Sequence, residues 1–230
     1  MTQPRYDELV AAIDDSALAL GSLALPPAET SLIGADELDT LLYVSSGSGR
    51  LLLDGDERSL APRSAALVLA GEEATVEAET ELRLVRATIR PDVDRHAPMG
   101  QRDVTVSLAG ADAEKATGAR SFEVLFGPHN GSTRATLFAG FIPPGRAPWH
   151  YHLYDEIVWV PDGPGRLHIG ETTAELRPGA AFRLRPRQEH IVENASTDGE
   201  LTVIGIFTPA GSPSAAYLTQ AVAAEYSFAG

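Results

Sequence analysis

The sequence predicts an all-β protein built from two copies of one unit. Short apolar or β-branched runs recur along the chain, and turn signals such as Asp54-Gly55 and Pro178-Gly179 separate them. The 230 residues include 21 glycines and 16 prolines, a content that suits many short strands joined by tight turns. The third observation is an internal repeat, which emerges when the sequence is compared with itself at an offset of 116 positions.

The repeat is clearest around a pair of glycine-containing turns, where residues 42–51 align with residues 158–167. The identical positions of the first copy are Val44, Gly47, Gly49, Arg50 and Leu51. Duplication of one unit predicts a first domain at 1–90, a connection at 91–120 and a second domain at 121–230.

Both units contain short strand-like runs. They are 51–53, 66–69 and 82–85 in the first unit, and 136–138, 156–160 and 201–207 in the second. Strands this short and this regularly spaced are typical of a sandwich or a barrel. A further strand is predicted at 104–106, and short peripheral helices are predicted at 7–18 and 214–225.

Composition excludes several classes of function. The chain has no cysteine, which excludes disulfides, thiolate catalysis and sulfur-ligated metals. A net charge of −14 argues against nucleic acid as a partner, because phosphate backbones bind basic surfaces. No apolar run approaches the ~18 residues of a membrane span, and residues 1–8 do not resemble a secretion signal. We therefore expect a cytoplasmic protein with no membrane partner.

The segment from His150 to Glu156 is the strongest functional signal. Residues two apart on a strand point to the same face, so His150 and His152 can reach one ion together. Glu156 follows after a short turn, and His190 would have to come from a paired strand. Three imidazoles and one carboxylate suit a divalent transition metal, and Fe, Mn, Ni, Cu, Co and Zn all remain open. Such a site would leave positions for a substrate, water or dioxygen.

The first copy of the repeat lacks this ligand set. Its residues at the corresponding positions are Gly34, Asp36, Thr40 and Ala74. The first unit is therefore predicted to be metal-free and to serve in packing, in oligomerisation or as a lid over the second.

Other polar residues have simpler interpretations. His96 and His129 are predicted to lie in loops, and nothing marks His168 as a ligand. Tyr154 is a candidate residue for the mouth of the site. Three arginines alternate with apolar residues before His190: Arg183, Arg185 and Arg187. They either form a solvated face or hold a substrate carboxylate, and the alternation favours the solvated face.

Two motifs in the second unit resemble those of the cupin superfamily in its two-domain form. The first motif consists of Gly145, His150, His152, Glu156 and Gly163, with four residues rather than the usual five between Gly145 and His150. The second consists of Gly179, Arg185-Pro186-Arg187, His190 and Asn194. Its two arginines stand where the family favours proline and a turn glycine.

The resemblance implies a specific architecture and chemistry. It implies two tandem double-stranded β-helix (jelly-roll) barrels, one transition metal on His150, His152, Glu156 and His190, and a possible homodimer. It favours a dioxygenase that acts on a small aromatic, diketone, or hydroxy or keto acid substrate. Glu156 would then double as a proton acceptor, by resemblance to flavonol-type dioxygenases. A redox-neutral isomerase or decarboxylase and a non-catalytic small-molecule-binding protein are the alternatives.

Overall fold

A computed structural model describes residues 5–10, 17–34, 36–109, 114–115 and 120–218. The first unit contains β1 (Arg5–Val10), β2 (Leu18–Leu25), β3 (Thr30–Gly34), β4 (Asp39–Ser46), β5 (Gly49–Leu53), β6 (Asp56–Leu60), β7 (Ser64–Val68), β8 (Glu73–Ala78), β9 (Leu82–Ile89) and β10 (Thr105–Ser107). The second contains β11 (Glu114–Lys115), β12 (Ser121–Phe126), β13 (Thr136–Ile142), β14 (Gly145–Arg146), β15 (His150–His152), β16 (Asp155–Trp159), β17 (Gly165–Ile169), β18 (Thr172–Leu176), β19 (Ala181–Leu184), β20 (Ile191–Asn194), β21 (Leu201–Thr208) and β22 (Ala216–Leu218). Within these ranges the helical structure is one 3₁₀ turn, Pro128–Asn130.

Each unit is a pair of facing antiparallel sheets. In the first unit, the strand order is β1-β2-β9-β4-β7-β10 in the larger sheet and β3-β8-β5-β6 in the smaller one. The second unit has β11-β12-β13-β21-β16-β19 and β14-β20-β17-β18, with β15 and β22 forming a separate ribbon. The predicted all-β, jelly-roll architecture is confirmed.

The repeat recognised in the sequence extends to strand register. β5 and β6 lie 116 positions before β17 and β18. Arg50 pairs with Glu77 across β5 and β8 at 3.0 Å, and Arg166 pairs with Glu193 across β17 and β20 at 3.0 Å. These ion pairs occupy equivalent places in the two units, which shows that the sheets are built on one plan.

The two larger sheets are buried on both faces because they pack against each other. Alternate residues of β4 point to opposite faces: Leu42 and Val44 lie in the core of their own unit, whereas Leu41 and Tyr43 lie in a core shared with the second unit. There Tyr43 contacts Trp159, with ring centroids 6.2 Å apart. These two residues are themselves equivalent in the repeat, so the units meet through the same face.

A buried ion pair crosses the boundary between the units. Arg134 donates to Asp39 at 2.8 Å, and the two side chains are 7% and 5% exposed. The same carboxylate oxygen of Asp39 accepts the backbone N–H of Ala70. Charges this deeply buried need such partners, because solvation by water has been lost.

The helix predictions are wrong wherever the structure describes them. Residues predicted to begin the first helix lie in β1, and its final residue, Leu18, begins β2; the segment 11–16 lies outside the described residues. Because β1 pairs with β2 along the sheet, interstrand hydrogen bonds override the local helical pattern. Ala216–Leu218 likewise form a strand, and 219–225 lie outside the described residues.

The strand predicted near 104–106 is present as β10, which pairs with β7 of the first unit. The domain boundaries at 90 and 120 stay predictions. In the described part of the chain, no helix is long and apolar enough to cross a membrane.

Candidate metal centre

The four predicted ligands line one cavity of about 90 Å³ in the second unit. His150, His152, Glu156 and His190 are all buried. Much of the surrounding wall is apolar, and it includes Phe122, Phe138, Phe141, Ile142, Leu184, Val192 and Val203. Side chains distant in sequence therefore meet in a small, largely apolar pocket. Their role as ligands remains a prediction.

Strand geometry explains how these side chains meet. His150 and His152 lie two apart on β15 and point to the same side, and Glu156 follows on β16. His190 pairs with His150 through two backbone hydrogen bonds, of 2.9 and 3.3 Å. The imidazole centroid of His190 lies 4.4 Å from that of His150 and 5.0 Å from that of His152.

Each histidine uses its Nδ1 atom in a backbone contact. The acceptors are the carbonyls of Pro148 for His150 at 2.9 Å, Tyr154 for His152 at 3.1 Å and Gln188 for His190 at 2.9 Å. A carbonyl can only accept, so each Nδ1 carries the hydrogen and each Nε2 carries the lone pair. This is the tautomer that a metal-binding imidazole needs, with its other nitrogen oriented by a protein acceptor.

The chemistry of the donor set fits a divalent ion. His152 Nε2 is buried and makes no hydrogen bond, although Glu156 Oε2 lies 2.9 Å away. Two adjacent ligands on an octahedral ion, each about 2.1 Å from it, lie about 3 Å apart, close to this separation. Among the described residues, no three such side chains already surround a common point. Small rotations of the rings are therefore needed before all four can bind together.

Gly205 provides the space that Glu156 occupies. A Cβ atom at this position would collide with the ring of Phe138 and would lie 2.7 Å from Glu156 Oε1. Gly205 stands opposite Val158 on the neighbouring strand, so any side chain there would enter the pocket. The site therefore requires a glycine at position 205, and the sequence alone does not indicate this requirement.

Asn194, the last residue of the second motif, has a structural role. Its side-chain amide donates to the carbonyls of Ile142 and Gly199, and its oxygen accepts from Ser196. These contacts fasten the loop after β20 to the end of β13. Asn194 thereby supports the strand that follows His190 and does not line the pocket.

The arginine at the motif's turn-glycine position preserves the turn. Arg187 has a left-handed backbone with φ of +64°, and its N–H donates to the carbonyl of His152 at 2.7 Å. This conformation is the one for which glycine is favoured. The loop therefore keeps its shape beside the site despite the substitution.

Tyr154 stacks against the predicted ligands. Its ring centroid lies 4.1 Å from that of His152 and 3.9 Å from that of Phe207, and both pairs are nearly parallel. Burial, and then the nearby Glu156, raise the pKa of the phenol, which stays protonated at neutral pH. Tyr154 thus lines the pocket, where it can donate a proton, consistent with its interpretation as a mouth residue.

Burial also affects the histidines. It lowers the pKa of His150 to about 4, with Arg120 contributing further, and lowers that of His190 to about 2, with His150 contributing further. Both imidazoles are therefore neutral at physiological pH, the state in which they bind metal.

Arg120 is a pocket residue that the sequence did not indicate. It lies just before β12, and its Nη1 atom is 3.4 Å from His150 Nε2. Burial lowers its pKa, and attraction to Tyr154 and Glu156 opposes that shift. No motif spacing includes this residue, and the sequence placed it at the end of the connection. Its position becomes visible only when β12 is paired with β13.

The three arginines after β18 do not line the pocket. Arg183 makes two hydrogen bonds to the carboxylate of Asp155, at 2.9 and 2.5 Å, while Arg185 and Arg187 are exposed. His96 and His129 are exposed; His96 lies in a loop as predicted, and His129 lies in the 3₁₀ turn. His168 is buried, and its Nε2 atom contacts Glu193 at 2.6 Å on the outer side of the smaller sheet.

Part of the second unit matches a known protein family. Residues 139–207, which include all four predicted ligands, match the family described as Cupin domain. This part of the second unit is therefore similar to that family. No curated protein matches the sequence.

Three solved structures share the fold along most of the chain. The Cupin 2 conserved barrel domain protein from Leptotrichia buccalis has a TM-score of 0.64 and 15% identity, over 90% of this chain and 89% of that one. AerE from Microcystis aeruginosa has a TM-score of 0.70 and 15% identity, over 89% and 96%. An oxalate decarboxylase from Bacillus subtilis, which has Mn(II) centres, has a TM-score of 0.70 and 14% identity, over 89% and 71%. Identities this low establish the common fold alone.

Proposed function

We propose that this protein is a metal-dependent cupin enzyme acting on a small organic molecule, with His150, His152, Glu156 and His190 holding one divalent transition metal. One observation supports the proposal above the others. Three imidazoles direct Nδ1 to backbone carbonyls and keep Nε2 available, in a pocket that also contains a carboxylate. A site that served only packing would not need three imidazoles in this one tautomer, each with its Nε2 lone pair directed away from the backbone carbonyls.

We propose a dioxygenase as the first reaction class. When bound, the metal would supply Lewis acidity and, if redox-active, electrons for chemistry with dioxygen. Much of the pocket wall is apolar, and its volume of about 90 Å³ suits a small aromatic, diketone, or hydroxy or keto acid substrate. Glu156 holds a carboxylate oxygen at the pocket surface, where it could accept a substrate proton.

A redox-neutral isomerase or decarboxylase is the second candidate. The observation that favours it is the guanidinium of Arg120, which lies beside His150 and would stabilise negative charge developing on an enolate. In either case the first unit supports the second by packing, and it binds no metal. A non-catalytic small-molecule-binding protein is the third possibility that the experiment below must separate.

Elemental analysis and oxygen uptake test these alternatives together. The purified protein is analysed for Fe, Mn, Ni, Cu, Co and Zn, then loaded separately with Fe(II) and Mn(II). Each form is incubated with catechols, flavonols, diketones and keto acids in an oxygen electrode. Product with oxygen uptake supports the dioxygenase, and product without uptake supports the redox-neutral enzyme. Tight binding with neither supports a binding protein, and failure to bind any of the metals refutes the proposal.

A further inference from the structure

Tyr154 contacts the predicted ligand His152 in two ways. Its backbone carbonyl accepts the Nδ1–H of His152 at 3.1 Å. Its ring lies flat against the imidazole, with centroids 4.1 Å apart and planes 8° from parallel. Rings this close are in van der Waals contact, so the imidazole cannot tilt towards Tyr154 without a collision. It can still turn slightly within its own plane, because such a turn keeps the two faces in contact.

The ring of Tyr154 is itself held by the core of the second unit. Phe207 lies nearly parallel to it, with centroids 3.9 Å apart and planes 22° from parallel. Two rings this close to a third cannot share one of its faces, so Tyr154 is sandwiched between His152 and Phe207. Phe207 is fully buried on β21, where it stands opposite Glu156.

This sandwich joins two separate parts of the predicted site. His150 and His152 lie on β15, which pairs with β22 in a ribbon of its own, whereas Glu156 lies on β16 of the larger sheet. Through Phe207, the plane of the His152 ring is set by the sheet that also carries Glu156. His152 Nε2 and Glu156 Oε2 lie 2.9 Å apart across this junction.

The plane of the His152 ring matters because the lone pair of Nε2 lies in it. An ion that binds His152 must therefore lie close to that plane. The other two imidazoles have different orientations, since the ring of His190 is inclined by 63° to that of His152 and by 54° to that of His150. One ion can bind all three only near the place where the ring planes intersect. Fixing the plane of His152 thus restricts where in the pocket the ion can bind.

We propose that Tyr154 is a positioning residue, whose ring fixes the plane in which His152 presents Nε2 to the metal. This inference rests on the proposed metal site and adds the residue that orients one of its ligands. The flat ring has the effect, since the backbone carbonyl remains whatever side chain stands at position 154. The phenol hydroxyl is not needed for it, and donates instead to the carbonyl of Pro213 at 3.4 Å.

Two substitutions separate the ring from the rest of the residue. Tyr154→Phe keeps the stacked ring, and Tyr154→Leu removes it while leaving the carbonyl. Titration calorimetry with Mn(II) measures the affinity, and EPR spectroscopy at saturating Mn(II) reports the arrangement of ligands around the ion. We expect Tyr154→Leu to bind Mn(II) about 10–100-fold more weakly and to change the EPR spectrum, because an orienting partner of a ligand is lost. Tyr154→Phe should match the wild type in both.

Tyr151→Leu is the matched control. Tyr151 lies between His150 and His152 on β15, stacks against Tyr217 with centroids 5.5 Å apart, and is not among the described residues that line the pocket. The control removes an aromatic stack beside the same ligands and should keep the wild-type affinity and spectrum. Thermal unfolding of the metal-free variants checks the fold. If Tyr154→Leu does not fold, Tyr154→Met, which fills the space without a flat ring, replaces it with the same expected result.

Metal content separates this inference from the proposed function. One Mn(II) per chain in the wild type, with affinity and spectrum changed in Tyr154→Leu alone, supports both. Wild-type affinity or an unchanged spectrum in Tyr154→Leu refutes the role of the ring and leaves the metal site standing. Equal impairment of Tyr154→Phe or Tyr151→Leu refutes it as well, since the hydroxyl or the ribbon would then be responsible. Failure of both Tyr154→Leu and Tyr154→Met to fold would make the ring a requirement of the fold, which also refutes it. Absence of stoichiometric metal in the wild type overturns the metal site and this inference together.

Discussion

The two units of this protein share one backbone plan and differ in the side chains that occupy their interiors. The first unit has Ala74 where the second has His190, and Ala74 packs with Ile33 in an apolar core. At the position of His150 it has Gly34, where a Cβ atom would collide with the carbonyl oxygen of Glu72. The first unit therefore lacks both the ligands and the space for one of them. The comparison shows that packing maintains this fold in a unit that lacks the ligand set.

The two units also share residues with a left-handed backbone, although the residue types at these positions differ. Gly71 and Arg187 are equivalent in the repeat, and both have positive φ, +82° and +64°. At a second turn the residue types are exchanged, with Arg63 in the first unit at +72° and Gly179 in the second at +84°. Each turn keeps its left-handed residue in both units. The turn geometry is therefore the same in both units, even where an arginine stands in place of the favoured glycine.

The largest expected difference between the units is in metal binding. His152→Ala removes a buried imidazole from the pocket and should reduce metal from about one ion per chain to nearly none, with the fold retained. Asp36→Ala makes the equivalent change in the first unit and should leave the metal content unchanged. Inductively coupled plasma mass spectrometry measures the ion, and circular dichroism checks the fold. Full metal content in His152→Ala would refute the assignment of the ligands.

The next largest effect concerns the ion pair between the units. Arg134→Ala leaves the carboxylate of Asp39 buried without its cation, and we expect the free energy of unfolding to fall by about 3–5 kcal/mol. Asp155, the equivalent of Asp39, is 19% exposed beside Arg183. Arg183→Ala should therefore cost less, about 1.5–3 kcal/mol. Urea denaturation measures both losses, and equal losses would show that burial does not distinguish the two pairs.

Acid should destabilise the metal-free protein through the second unit. The folded-state pKa values of His150 and His190, about 4 and about 2, lie below the unfolded value near 6.5. The unfolded chain therefore binds more protons below pH 6.5, and stability present above that pH is lost as pH falls towards the folded values. Between pH 6 and 4.5, with a chelator present, His190→Ala should reduce the slope of unfolding free energy against pH by about 1.4 kcal/mol per unit. Identical slopes would contradict burial of a neutral His190.

The smallest effect comes from exchanging the residues at the equivalent turns. Arg187→Gly relieves left-handed strain and should raise the free energy of unfolding by up to about 1 kcal/mol. Gly71→Ala introduces that strain in the first unit, at a position where a Cβ atom has open space, and should lower it by about the same amount. Thermal or urea unfolding measures both changes. A loss of stability in Arg187→Gly would mean that the arginine side chain stabilises the turn.

The sequence predicts the features that depend on periodicity and spacing. Short apolar and β-branched runs, the 116-residue offset and the spacing of the two motifs lead to the all-β fold, the repeat and the meeting of four side chains in one pocket. These features are predictable because each depends on residues close together in the sequence or on a motif whose spacing fits the geometry of a β-strand.

Features that depend on contacts between elements were not predictable. Residues 7–10 are predicted to begin a helix, yet the pairing of β1 with β2 determines their structure. Arg120 belongs to neither sequence motif, and it is the pairing of β12 with β13 that places it in the pocket. Gly205 looks like an ordinary strand glycine until Phe138 and Glu156 are seen to occupy the space beside it.

The contact between Tyr43 and Trp159 restricts how this protein can assemble. Each unit presents the same surface to the other, as two identical subunits do around a two-fold axis, but here within one polypeptide. The surface through which such units would associate with another copy is therefore already buried within the folded chain. A homodimer of the whole protein must therefore be built from the opposite sides of the units, from strand edges or from loops.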